Sequence, residues 1–187
     1  MRLLVLTDRR QAARPLADVV AAAVEGGARA VVLRERDLPA PERAALADSL
    51  AALLAPVGGT LILASPPTGR AGAVHLRDGE PMPEPRPVLV GRSCHGWVDE
   101  SVDYVTVSPV FPSTSKPGYG PCLGVDGLSR LCRRTGKPVY ALGGVESPAA
   151  AGACVRAGAA GVAVMGAVMR ADDPARVVAA LLEALGP

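Results

Sequence analysis

The chain has 187 residues, 49% of them hydrophobic, and a formal net charge of +2 at pH 7. This length and composition predict a single globular domain over residues 1–187, with a sizeable core, and exclude a disordered chain. The near-neutral charge and the scarcity of aromatic residues, with one Phe, one Trp and three Tyr, disfavour nucleic acid as a partner.

The cysteines and the apolar segments indicate a compartment. The four cysteines are scattered without a Cys-x-x-Cys pair, and the first apolar run, Leu3–Leu6, leads into the charged Asp8, Arg9 and Arg10 rather than into a secretory segment. No uninterrupted apolar run of the sequence approaches the ~18 residues that a membrane span needs. We therefore expect a cytoplasmic protein with reduced thiols and no membrane association.

Eight short apolar segments recur along the chain and are typical of strands in a parallel sheet that is buried on both faces. They lie at residues 3–6, 30–33, 60–63, 73–76, 88–90, 103–108, 138–142 and 161–165. Helical patterns follow five of them, at residues 15–27, 39–54, 125–134, 148–157 and 174–185. The links after the third, fourth and fifth strands are too short or too rich in proline for a full helix.

Eight such units predict an α/β fold, a compact (β/α)8 TIM barrel with truncated helices after strands three to five. The missing helices account for a chain shorter than the ~200 to 250 residues usual for this fold. The alternative is an open doubly wound sheet, which normally carries a Gly-rich loop after its first strand. No such loop follows Leu6. In a barrel the functional residues lie where the strands end, at one mouth.

Two segments after the seventh and eighth strands predict a phosphate site. Gly143 and Gly144 follow the seventh strand, and Met165 and Gly166 follow the eighth. Loops at these positions commonly hold a phosphate in (β/α)8 barrels, and glycines let backbone N–H groups approach the oxygens closely. The alternative interpretation is a pair of ordinary turns.

Side chains suited to further anions follow the second and sixth strands. Arg34 and Arg36 are two residues apart, so on extended backbone they share one face while Glu35 takes the other. The loop after the sixth strand offers hydroxyl donors and an ammonium group, which suit phosphate oxygens. These residues are Ser113, Ser115 and Lys116. The alternatives are a surface charge run and a solvated loop.

His95 is the candidate for proton transfer, because it ends the fifth strand beside Ser93 and Cys94, and an imidazole can exchange a proton near pH 7. The alternative is a histidine that merely caps the strand, with Glu35 as another base. Cys94 is more typical of a buried thiol than of a nucleophile, and the apolar neighbours of His75 favour a packed or hydrogen-bonded role. The dispersed histidines and cysteines lack the spacing of zinc ligands.

Six motifs, in order, resemble those of the thiamine phosphate synthase and TenI family over nearly the whole chain. They are L-R-E-R at 33–36, A-V-H-L at 73–76, G-R-S-C-H at 91–95, D-Y-V-T-V-S-P-V-F-P-S-T-S-K at 103–116, A-L-G-G-V at 141–145 and G-A-A-G-V-A-V-M at 158–165. The resemblance implies a (β/α)8 barrel in which a thiazole phosphate is held by Gly143, Gly144, Met165 and Gly166. It also implies that the phosphates of a second substrate face Arg34, Arg36, Ser113, Ser115 and Lys116.

The two branches of this family differ in their metal site. Synthases resemble one another in an Asn-Asp pair after the third strand and an acidic residue near Gly-Gln-x-Asp after the fourth, which together hold Mg²⁺. This chain has Ala64 and Ser65 at the first place and residues 77–80, Arg-Asp-Gly-Glu, at the second. Because Mg²⁺ needs carboxylate anchors, we predict no metal site and no cofactor, with Mg²⁺ required only if the chain is a synthase. A histidine that TenI has in the sixth-strand loop is Pro109 here.

We therefore predict a TenI-like thiazole tautomerase, an isomerase that acts on a phosphorylated thiazole by a metal-independent proton shift. One alternative is a thiamine phosphate synthase, a transferase that joins a pyrimidine diphosphate to thiazole phosphate with Mg²⁺. Another is a non-catalytic regulator that binds thiazole or thiamine phosphate. The predicted catalytic residues are His95, Arg34 and Lys116. The expected partner is the small-molecule thiazole, and we expect a homo-oligomer.

Overall fold

The computed structural model describes residues 1–65, 72–115, 118 and 120–186. Eight parallel strands pair in chain order and close into a barrel, because β8 also pairs with β1. The strands are β1 (Leu3–Leu6), β2 (Ala30–Leu33), β3 (Thr60–Ala64), β4 (Ala73–Leu76), β5 (Leu89–Cys94), β6 (Tyr104–Val107), β7 (Val139–Leu142) and β8 (Gly161–Val164). The predicted (β/α)8 fold is confirmed.

Helices surround the barrel unevenly. They are α1 (Leu16–Glu25), α2 (Ala40–Leu54), α3 (Gly124–Cys132), α4 (Pro148–Arg156), α5 (Gly166–Met169) and α6 (Pro174–Leu185), and a 3₁₀ turn, Ala55–Val57, extends α2. Within the described ranges no helix follows β3, β4 or β5, as the short links predicted. The sequence does not predict α5, because a single turn is too short to show helical periodicity. None of these helices has the length and apolar character needed to cross a membrane.

Each strand contributes residues alternately to two cores, which is why the strand segments are continuously apolar. In β1, Leu4 and Leu6 point into the barrel and belong to a cluster with Tyr104, whereas Leu3 and Val5 belong to the larger cluster between the sheet and the helices. All four residues of β1 are therefore buried. The strand ends at the barrel mouth are left to carry the polar residues.

β5 is longer than predicted, because it continues past the expected end at Val90 to Cys94. Its polar residues have structural reasons to lie in a strand. Gly91 leaves the space that the Tyr104 ring fills, since a Cβ atom there would overlap that ring. Arg92 is buried and forms an ion pair with an aspartate of the next link, at 2.6 Å.

Candidate active site

A cavity of about 410 Å³ opens at the end of the barrel where the strands terminate. Its volume lies in the range of small-ligand pockets. Its wall is formed by Leu6, Arg34, Arg36, Ala64, His75, Arg77, Asp78, Ser93, His95, Ser108, Pro109, Ser113, Ser115, Leu142, Gly143 and Met165. All eight strands or the segments after them contribute to this wall. Those of β1 and β3 contribute only Leu6 and Ala64, and the other six contribute a polar residue, a glycine or a methionine.

The structure brings most of the sequence-predicted site residues to this cavity. The residues in its wall are Arg34, Arg36, His95, Ser113, Ser115, Gly143 and Met165. Gly144 and Gly166 follow directly in the chain but lie behind the wall, where Gly144 packs on the loop after β6 and Gly166 packs under the guanidinium of Arg170. Lys116 lies outside the described residues.

Arg34 and Arg36 share one face, and Glu35 takes the other. The backbone N–H of Arg34 donates to Thr7 Oγ1 at 2.9 Å, and Arg36 Nε donates to the backbone carbonyl of Ser65 at 2.8 Å. Glu35 is buried and accepts hydrogen bonds from the backbone N–H and from Nη1 of Arg9, both at 3.1 Å. An ion-paired carboxylate turned away from the cavity is poorly placed to act as a base on a ligand there.

Arg77 is a cavity residue that the sequence patterns did not single out. It stands directly after β4, and its backbone carbonyl accepts a hydrogen bond from Arg92 Nη1 at 2.9 Å. Partial burial, with Arg34 and Arg77 as neighbouring cations, lowers the pKa of Arg36 to about 10. The Arg36 guanidinium therefore remains charged near neutral pH. The barrel rule that active-site residues follow the strands could have identified Arg77.

The residues at the family's metal position do not fit Mg²⁺. The Ser65 hydroxyl donates to Glu80 Oε1, and the backbone N–H of Arg77 donates to Glu80 Oε2 at 2.8 Å. Burial opposes ionisation of Glu80, but these hydrogen bonds prevail and lower its pKa. Both carboxylate oxygens already have protein donors, and Ala64 and Ser65 supply no second carboxylate. Across the described ranges no three His, Cys, Asp or Glu side chains cluster as metal ligands do.

His95 lies exposed at the mouth, after β5. Its Nδ1 is 2.9 Å from the backbone carbonyl oxygen of Ser108. A carbonyl oxygen can only accept, so Nδ1 carries the hydrogen, and in the neutral ring Nε2 is the acceptor. This hydrogen bond anchors the ring at the mouth through Nδ1.

His75 is buried at the floor of the cavity, inside a polar network. Its Nδ1 lies 3.1 Å from the Tyr104 hydroxyl, and its Nε2 lies 3.0 Å from Ser93 Oγ and 3.3 Å from Thr106 Oγ1. Burial, with the nearby Arg36 among the cations that add to it, lowers the pKa of His75 to about 3. This histidine is neutral near pH 7 and is hydrogen-bonded, as its apolar sequence neighbours indicated.

Cys94 is fully buried at the end of β5. Burial raises the pKa of its thiol, so the thiolate that a nucleophile requires is disfavoured. The structure agrees with the interpretation of Cys94 as a packed residue.

The loop that carries Ser113 and Ser115 is held by Arg170, a second residue that sequence patterns did not identify. Arg170 Nη2 donates to Thr114 Oγ1 at 2.9 Å, and Nη1 donates to Ser115 Oγ at 3.2 Å and to Gln11 Oε1. Arg170 therefore links the segments after β1, β6 and β8 at the rim of the cavity.

The fold and this site define a class of protein: (β/α)8 barrel enzymes whose mouth is lined by arginines, hydroxyls and glycine loops suited to phosphorylated small molecules. Residues 3–168 match the family model described as thiamine monophosphate synthase. The chain belongs to this thiamine phosphate synthase and TenI family, as its motifs indicated.

Relatives support this membership over the full length. The chain is 37% identical over 202 residues to a putative thiamine-phosphate synthase of Geobacter sulfurreducens, covering 99% of this chain and 94% of the relative. It is 35% identical to a thiamine-phosphate synthase of Salinispora tropica, covering 98% and 97%. The thiamine phosphate pyrophosphorylase structure from Pyrococcus furiosus superposes with a TM-score of 0.83 at 26% identity, covering 98% and 95%. These names place the chain among enzymes of thiamine biosynthesis and favour the synthase alternative over the tautomerase.

Proposed function

We propose that this chain is a thiamine phosphate synthase, which transfers a pyrimidine group from its diphosphate to a thiazole phosphate. The observation that carries the proposal is the convergence of Arg34, Arg36 and Arg77 on one wall of the mouth cavity. A diphosphate ester carries several negative charges, so three guanidiniums suit it, whereas a phosphorylated thiazole alone brings a single phosphate to the cavity. Relatives bearing the synthase name along the whole chain support the same choice.

The transfer makes clear demands on the cavity. A bond forms between the thiazole ring nitrogen and the pyrimidine-bearing carbon while the C–O bond to the diphosphate breaks, and the electron pair leaves with the diphosphate. That ring nitrogen carries no hydrogen, so the step needs no general base. Its main requirement is stabilisation of charge on the leaving diphosphate, which fixed guanidiniums supply. The arginine wall serves the diphosphate together with Ser113 and Ser115 of the cavity wall, and we also propose Lys116, which lies outside the described residues, as a donor to it.

We propose that the thiazole phosphate binds at Gly143 and Met165, with Gly144 and Gly166 behind them, next to the arginine wall, where Arg34 Nη1 lies 2.7 Å from the Met165 sulfur. This places the two anion sites side by side at the mouth, so that the thiazole ring can lie next to the diphosphate ester, where the bond must form. In this family Mg²⁺ supplies charge to the diphosphate, but Ser65 and Glu80 do not fit it, and no step of the proposal depends on it. We also propose that the chain works as a single barrel domain in the cytoplasm and as a homo-oligomer.

A second candidate, the thiazole tautomerase, is favoured by one observation. His95 lies at the mouth with Nδ1 fixed on the Ser108 carbonyl, which orients the ring for proton transfer. The two reactions can be separated by supplying each substrate set to the purified chain. We expect thiamine phosphate to form from the pyrimidine diphosphate and thiazole phosphate, as measured by chromatography.

Two variants make this test specific. Arg34→Gln is expected to lower the rate of thiamine phosphate formation by roughly 10²-fold, the typical cost of one fixed donor to a developing charge. Arg134→Gln, which removes an exposed arginine after α3, is the matched control and should keep the native rate. Conversion of the thiazole tautomer without thiamine phosphate formation would establish the second candidate, and binding without either reaction would indicate a regulator.

A further inference from the structure

Arg77 lies beside the position where this family holds a metal, and its surroundings fix it there. Arg92 Nη1 donates to the Arg77 carbonyl at 2.9 Å, and the Arg77 N–H donates to Glu80 at 2.8 Å. Arg92 is itself buried and paired with Asp99 at 2.6 Å. The main chain of Arg77 is therefore fixed on both sides by ionised groups, and its side chain lines the cavity.

The acidic groups near this wall are engaged by the protein. Glu80 accepts from Ser65 and from the Arg77 N–H, and its Oε2 is 4.0 Å from Arg77 Nε. Asp78, the carboxylate in the cavity wall, accepts a hydrogen bond from Trp97 Nε1 at 3.3 Å. A divalent cation entering here would meet three guanidiniums and would have to displace these donors.

Several arginines elsewhere in the barrel form short ion pairs, whereas Arg77 of this wall has only the longer contact with Glu80, at 4.0 Å. Arg9 pairs with Asp37 at 2.7 Å, and Arg86 pairs with Asp103 at 2.8 Å. Among the residues that the structure describes, no carboxylate oxygen lies within 4.0 Å of the guanidinium of Arg34 or Arg36 in an ion pair. Three like charges with one carboxylate, Glu80, near them repel one another, and an anion placed between them relieves that repulsion.

We infer that Arg77, together with Arg34 and Arg36, forms a metal-independent diphosphate subsite, in which the Arg77 guanidinium supplies the positive charge that a divalent cation would otherwise bring. The inference rests on the proposed function for its ligand, and it deepens that function by making the leaving-group site independent of Mg²⁺. A guanidinium presents paired N–H donors to phosphate oxygens, so it gives direction as well as charge.

The test is calorimetric binding of inorganic diphosphate to the full chain, with no thiazole or pyrimidine present. In excess EDTA we expect binding, and excess Mg²⁺ should leave the affinity unchanged or weaken it, because Mg²⁺ neutralises part of the ligand's charge. Arg77→Gln should weaken binding at least tenfold, Arg77→Lys should restore part of the loss, and Arg134→Gln should match the native chain. Thermal melting of each variant establishes that it is folded.

Two results would overturn the inference: diphosphate binding that appears only with Mg²⁺, or Arg77→Gln binding in EDTA with native affinity. Both are independent of turnover. If the chain binds diphosphate in EDTA through Arg77 but forms no thiamine phosphate, the subsite is supported and the proposed reaction is wrong. If the chain forms thiamine phosphate only with Mg²⁺, the proposed reaction is supported and the metal-independent subsite is wrong.

Discussion

Gly144 is packed so closely against Pro112 that a Cβ atom at position 144 would overlap the Pro112 carbonyl oxygen. The same atom would lie 2.6 Å from Cβ of Phe111, and Gly144 has a φ of 67°, in the left-handed region that favours glycine. Backbone hydrogen bonds from Val110 to Leu142 at 2.9 Å and from Phe111 to the Gly143 carbonyl at 3.0 Å join the same two loops. The loop after β7 therefore sets the position of the loop that carries Ser113 and Ser115.

Gly144→Ala is expected to displace both loops, because backbone rather than a flexible side chain blocks the added atom. The affinity for thiazole phosphate should fall at least tenfold, a loss of about 1.4 kcal/mol, measured by calorimetry. Gly136→Ala is the control, because its Cβ would meet nothing within 4 Å and its backbone is not left-handed. Native affinity in Gly144→Ala would contradict the coupling of the two loops.

Arg170→Gln tests the link at the cavity rim. The variant removes the hydrogen bonds to Thr114 and Ser115 and the ion pair with Glu146 at 3.3 Å, all at an exposed side chain. We expect KM for the diphosphate substrate to rise about fivefold to tenfold with little change in melting temperature, because exposed ion pairs add little to stability. Arg134→Gln should leave KM unchanged. An unchanged KM in Arg170→Gln would mean that the loop holds its position without Arg170.

The barrel could be predicted from the sequence because each strand is buried on both faces. That burial produces continuous apolar segments such as Leu3–Leu6, because successive residues of a strand face the barrel interior and the helices in turn. The end of β5 could not be predicted in the same way. Gly91 and Arg92 are typical of a loop in the sequence. They lie in a strand because the Tyr104 ring fills the space beside Gly91 and because Asp99 pairs with Arg92.

Residues of the cavity wall were predictable where they follow strands in known motifs, as Arg34, Arg36 and His95 do. Arg77 follows β4 as well, but the motif comparison drew attention to the missing carboxylates rather than to the new cation. Arg170 could not be found from local patterns, because its contacts to Gln11 and Thr114 join segments 159 and 56 residues away.

His95→Ala separates the two candidate reactions. Formation of thiamine phosphate requires no proton transfer from the thiazole nitrogen, so the variant should keep kcat for this reaction within about tenfold of the native value. Loss of a general base typically lowers a rate by about 10² to 10⁴, and a fall of that size in tautomer conversion would assign His95 to the second candidate. Phosphate affinity should stay native in either case, because the anions are held by other residues.

His75 makes the stability of the barrel depend on pH. Its pKa is lowered from 6.5 to about 3, first by burial and then by Arg36, Arg34 and Arg92. Between these values the unfolded chain binds a proton at position 75 that the folded chain does not bind. Stability contributed by this site is therefore complete above about pH 6.5, and it is lost as the pH falls from there towards 3.

Between the two pKa values, the change in the free energy of unfolding depends only on the pKa of His75 in the unfolded chain. At about pH 5 the free energy of unfolding should be lower by roughly 2 kcal/mol than at about pH 7 through His75, as measured by urea unfolding. His75→Gln keeps a neutral hydrogen-bonding side chain but cannot take up the proton, so it should be less stable than the native chain at pH 7 and should lose this part of the pH dependence. His95→Gln alters the exposed histidine instead and should retain it. An identical fall in stability between the two pH values in the native chain and in His75→Gln would show that the buried ring is not the group responsible.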